Sequence, residues 1–218
     1  MSLRTGRRTL SALAALAAGL TLSSAPVAAS ASASASGHRE EARPAGASVT
    51  GKAEFVLTYH QDDDVRSFTF DAHAAPYTRP LPGIPTGLPT DARGSVTVSH
   101  YSAEKDITYT AEGRVDCLVT GVRTATLTAV ITEVSPGGPP TLGKRLGFSV
   151  YDGGKDKGRS KDRVGFSWNG VNLLPTADDS PPEDAPVGTC MAPAPYAPVT
   201  KGGYTVRHAE LPPPPPAR

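Results

Sequence analysis

Long apolar runs are scarce in this chain. One lies between Leu10 and Leu22, and nothing after it approaches the roughly 20 apolar residues that a membrane-spanning helix needs. No internal transmembrane anchor is therefore expected. An excess of either charge is missing as well, with 22 Lys+Arg against 21 Asp+Glu. Removing Arg4, Arg7 and Arg8 with the N-terminal segment takes the formal charge from +1 to about −2. Such a balance gives no electrostatic case for nucleic acid or anionic membrane as a partner.

Catalytic and metal signatures are missing too. His38, His60, His73, His100 and His208 form neither an HxH nor an HExxH pair, so no zinc site is signalled. The nucleophile elbow G-x-S-x-G is absent. Its nearest approach, Gly165-Phe166-Ser167-Trp168-Asn169-Gly170, has the wrong spacing. No catalytic and no cofactor-binding residue is assigned. A triad is defined by geometry and not by spacing, so the enzyme question stays open, leaning towards no.

The N-terminus reads as a secretory signal peptide. Arg4, Arg7 and Arg8 precede the short apolar core, and Pro26 and Val27-Ala28-Ala29 supply a small-residue exit. Gly6-Arg7-Arg8-Thr9-Leu10 resembles a twin-arginine signal, and an ordinary Sec signal is the other reading. The expected organisation is a signal peptide at 1–29, a flexible Ala/Ser-rich linker at 30–50, a secreted β domain at 51–209 and a Pro-rich disordered tail at 210–218.

Only Cys117 and Cys190 are present. In an oxidising extracellular compartment an even pair reads as a disulfide. A free thiol nucleophile lacks a nearby His, and a metal pair lacks CxxC spacing.

Helical spacing never persists over three turns after the signal, and 22 Gly and 22 Pro break the chain too often for long helices. The period is two. Phe55, Leu57 and Tyr59 alternate, as do Phe68 and Phe70, then Val96, Val98 and His100, and then Ile107, Tyr109 and Ala111. Val115, Cys117 and Val119 share a face, which turns Cys117 inward. Ala125, Leu127, Ala129 and Ile131 face one way and Thr124, Thr126 and Thr128 the other, towards solvent. Thr120-Gly121 marks a hairpin turn. Leu146, Phe148 and Val150, then Val164, Phe166 and Trp168, then Tyr204, Val206 and His208 complete about nine strands. The expected fold is all-β: an antiparallel β-sandwich with Pro-rich loops, with an open β-meander or barrel as the alternative. Alternation puts Trp168 in the core, the other reading being a sugar-stacking platform.

The Gly-rich loop from Tyr151 to Asp162 carries Asp152, Asp156 and Asp162, three carboxylates of the kind that bind Ca²⁺. Five Lys and Arg between Lys155 and Arg163 offset them, and the EF-hand order is absent. The other reading is a solvated hairpin loop. Asp62-Asp63-Asp64, and Asp178-Asp179 with Glu183 and Asp184, are further acidic runs. A glycosidase needs two carboxylates facing across a cleft.

Gly113-Arg114-Val115-Asp116-Cys117-Leu118, Val119-Thr120-Gly121-Val122-Arg123-Thr124-Ala125, Gly147-Phe148-Ser149-Val150-Tyr151-Asp152-Gly153-Gly154 and Asp162-Arg163-Val164 resemble a group of secreted, Streptomyces-like actinobacterial proteins of uncharacterised function, sometimes labelled repetin. Val122 and Gly153 stand where that pattern has Asn. The resemblance implies a secreted β domain and no particular activity.

Three functions follow as expectations. The first is a non-enzymatic binding or structural module of the cell envelope or extracellular space, with an envelope polysaccharide or protein as partner. The second is an extracellular hydrolase with an unrecognised carboxylate site, and the third a calcium-stabilised adhesion module.

Overall fold

The computed structural model describes residues 46–156, 159–175 and 180–216. The segment expected to be a signal peptide, the expected linker up to residue 45 and the Asp178-Asp179 run lie outside them. Twelve strands and no helix are found among the described residues. They are β1 (Ser48–Phe55), β2 (Val65–Ala74), β3 (Ala92–Ser102), β4 (Ile107–Gly121), β5 (Thr124–Val134), β6 (Arg145–Tyr151), β7 (Lys155–Asp156), β8 (Arg159–Ser160), β9 (Arg163–Phe166), β10 (Leu173–Leu174), β11 (Glu183–Asp184) and β12 (Ala197–Arg207). The first strand begins at Ser48, inside the stretch expected to be linker.

Eight strands close into an antiparallel barrel in the order β1-β12-β9-β6-β5-β4-β3-β2, not into two packed sheets. Closure comes from the chain's two ends: Ser48 pairs with Arg207 and Phe55 with Val199, an arrangement that no local pattern announces. Full closure leaves the eight-stranded sheet without an edge. β7 pairs with β8 and β10 with β11 as separate two-stranded ribbons.

Alternation fills the interior as expected over most strands. Ala125, Leu127, Ala129 and Ile131 are all buried, as are Phe148, Val150, Val164 and Phe166. Phe70 packs against Tyr204 at 5.1 Å between centroids, tilted, and against Phe148 at 5.4 Å, edge to face. Phe68 meets Phe148 at 5.3 Å and Phe55 at 4.6 Å, so an aromatic column runs along the barrel. An eight-stranded barrel is just wide enough to be filled by such side chains, or to hold one small ligand.

Three sequence expectations are corrected in β4 and β5. A bulge lies at Asp116, since Val115 pairs with Ala129 but Cys117 pairs with Thr128. The extra residue flips the alternation. Val115 and Leu118 therefore join the core and Cys117 turns to the outer face. There it bonds Cys190, 73 residues on. Thr128, expected to face solvent, is fully buried on that outer face, where its Oγ1 accepts the Cys190 N–H at 3.2 Å. The β4–β5 turn falls at Val122-Arg123, two residues later than Thr120-Gly121 suggests, with Arg123 left-handed at φ 61°.

What covers this face is the Pro-rich stretch 180–196, a strap over β5, β6 and β9. The Ser149 hydroxyl donates to the Pro193 carbonyl at 2.5 Å, and Arg145 Nη1 donates to the Val187 carbonyl at 3.3 Å. A Cβ at Gly147 would collide with the Met191 carbonyl, and one at Gly165 would stand 2.5 Å from the Ala194 carbonyl. Small residues on the outer face are what allow the strap to lie flat.

Candidate functional site

Because neighbouring strands are antiparallel, the end of β1, the start of β2, the end of β3, the start of β4 and the end of β9 all meet at one end of the barrel. At that end the interior is open. A cavity of about 420 Å³ is lined by Phe55, Phe68, Val98, Ala111, Phe166 and Trp168, with Ser99, Tyr109, Thr110 and Asn169 among its polar groups. A second, of about 440 Å³, shares Val98, Ala111, Pro139 and Trp168 and extends to Leu146 and the strap residues Asp184–Val187. Volumes of this size are typical of small-molecule sites.

Trp168 is the seam between the two. β9 ends at Phe166, so Trp168 continues its alternation past the last paired residue and is half-buried. Its ring lies 4.5 Å from that of Phe166, 5.4 Å from that of Phe148 and 5.6 Å from that of Phe68. The expectation of a core tryptophan thus holds for one side of the indole, while the other side lines the cavities.

One rim of the first cavity is charged. Arg66 donates to both oxygens of Asp62, at 2.8 and 2.5 Å, and its Nη2 also reaches Asp64 at 3.3 Å. Asp64 accepts the Ala103 N–H at 2.9 Å and pairs with His100 Nε2 at 2.7 Å. The acidic β1–β2 loop is thereby tied to the β3–β4 turn. The Arg66 guanidinium, against some desolvation, holds the Asp62 carboxyl down to about 2. The Ala103 N–H, followed by His100, lowers that of Asp64. Both are fixed carboxylates at neutral pH.

The calcium candidates lie at the opposite end. Asp152 and Asp162 converge on one N–H, that of Gly154, at 3.2 and 3.1 Å. Their remaining oxygens accept main-chain N–H groups of β12, Val206 to Asp152 at 3.1 Å and Tyr204 to Asp162 at 2.7 Å. Asp162 is 4% exposed. The two carboxylates act as a clamp on β12. Asp156 sits in β7 opposite Arg159. Among the described residues no group of three or more His, Cys, Asp or Glu is placed to hold a metal.

Of the acidic runs, Asp62 and Asp64 line the first cavity and Asp184 the second, while the 152–162 loop is remote from both. His100 was legible as sharing a strand face with Val96 and Val98. Its partner Asp64 was legible as part of an acidic run, whereas Arg66 carried no sequence signal. His73 pairs with Asp71 at 2.8 Å, and His208 lies between Thr120 and Glu210, away from the mouth. No family model, curated protein or solved structure matches the chain.

Proposed function

We propose that this protein is a secreted, non-enzymatic binding module whose barrel takes up one small, largely apolar molecule through its open end. The observation that carries this reading is the pair of joined, aromatic-lined cavities meeting at Trp168. The Cys117–Cys190 disulfide suits an oxidising extracellular compartment, and it holds the strap that walls the second cavity. A hydrolase finds less support. A general acid needs a carboxyl raised towards neutral pH, whereas Asp62 and Asp64 are both lowered. A calcium-stabilised module finds less as well, since all four oxygens of Asp152 and Asp162 already accept main-chain N–H groups.

Trp168 is the only tryptophan in the chain, so its emission reports on the site alone. Titration with the apolar dye N-phenyl-1-naphthylamine should give saturable one-to-one energy transfer from Trp168. A linear, unsaturable response would show that the mouth is not a site.

A further inference from the structure

Resting on the binding reading above, we infer that the molecule is neutral and carries a carbonyl-type oxygen, which accepts the indole N–H of Trp168 where the two cavities meet.

Charge selects no head group at this mouth. In the first cavity Asp62, Asp64, Arg66 and His100 are tied to one another. In the second, Arg145 donates to the buried Asp116 at 2.8 Å, and the two exposed charges of the lining, Lys144 and Asp184, are of opposite sign. An ionised group carried in to the aromatic seam would lose its water and find no charge free to replace it, a cost that keeps such groups outside.

Hydrogen bonding does select. An indole N–H can only donate. That of Trp168 donates to no acceptor among the described residues, and it is not sealed in. Among the described residues, the wholly buried side-chain polar atoms without a partner are Asp91 Oδ1 and the Tyr196 hydroxyl. The indole N–H is therefore accessible, on a half-buried ring that lines both cavities. Its neighbour Ser167, only 4% exposed, lines the second cavity. The Ser167 Oγ accepts the Gly147 N–H at 2.9 Å, and among the described residues its own proton has no acceptor.

Two neutral donors thus stand beside apolar walls that include Phe68, Phe166 and Leu146. A ligand made only of hydrocarbon would strip water from them and leave them unpaired, at a cost in affinity. A ketone, ester or amide oxygen on an apolar body supplies the acceptor and brings no charge.

The test compares 2-heptanone with heptane on the purified protein. Because Trp168 is the only tryptophan, the ¹H–¹⁵N spectrum holds a single indole cross-peak. At saturation its proton should lie downfield with 2-heptanone relative to heptane, which displaces water and offers no acceptor. Affinities are read separately, by displacement of N-phenyl-1-naphthylamine followed in the dye's own emission. The ratio of ketone to alkane affinity should fall about fivefold in Trp168→Phe, the worth of one net hydrogen bond. Taking the ratio cancels what the substitution does to packing alone. An indole proton at the same position with both ligands, or an unchanged ratio in Trp168→Phe, would overturn the acceptor assignment and leave the cavity reading intact. Failure of dye, ketone and alkane alike to bind saturably would overturn both.

Discussion

The indole of Trp168 lies 4.5 Å from the ring of Phe166, centroid to centroid, two residues beyond the last paired residue of β9. That short step separates a core aromatic from one that lines a cavity. The column Tyr204–Phe70–Phe148–Phe68 seals the barrel below it, so the interior is filled at one end and hollow at the other.

The disulfide should matter to the strap more than to the barrel. Cys117 faces outward, and the bond closes a loop of 73 residues, for which chain entropy gives roughly 4 kcal/mol as a model-dependent ceiling. Reduction, or the double change Cys117→Ser with Cys190→Ser, should cost about 2–4 kcal/mol in denaturant unfolding. Far-UV circular dichroism should still show the β signal under native conditions. Collapse of that signal on reduction would mean that the strap is part of the folding core.

Asp162 should be the most sensitive carboxylate of its loop. Its buried oxygens accept two main-chain N–H groups, and Asp162→Ala leaves the Tyr204 N–H without a partner. A loss of about 2–3 kcal/mol is expected, with a smaller loss for the less buried Asp152→Ala. Thermal melts with calcium and with chelator should coincide, since both carboxylates are already engaged. A calcium-dependent rise in midpoint that Asp162→Ala removes would make the loop a metal site.

The mouth cluster should loosen in acid. Asp62 has its folded value depressed from 3.8 to about 2. A depressed carboxyl contributes stability that is fully present above the unfolded value and is lost as pH falls through the folded one. Trp168 emission should therefore shift to the red between about pH 4 and pH 2. Arg66→Leu, which removes the main cause of the depression, should move that transition to higher pH. An unchanged acid limb in Arg66→Leu would contradict the assignment.

Sequence periodicity revealed the strands wherever local chemistry decided them. Ala125, Leu127, Ala129 and Ile131 alternate in the chain and are buried in the fold. What it did not reveal depends on partners far away. Closure rests on Ser48 meeting Arg207. The face taken by Cys117 turns on one extra residue, Asp116, whose bulge appears only against the register of β5. Thr128 looks solvent-facing until the strap lies over it. At the mouth, His100 was legible as a strand position sharing a face with Val96 and Val98, but Asp64 and Arg66 became site residues only when the β1–β2 loop met the β3–β4 turn.

The most direct test fills the cavity without adding a second tryptophan. Val98 lines both cavities, and Val98→Phe places a ring in the space between them. The binding account predicts that affinity for N-phenyl-1-naphthylamine, read from Trp168, falls at least about tenfold, with stability changed by less than about 1.5 kcal/mol. Unchanged affinity in a folded Val98→Phe variant would place the ligand elsewhere and contradict the account.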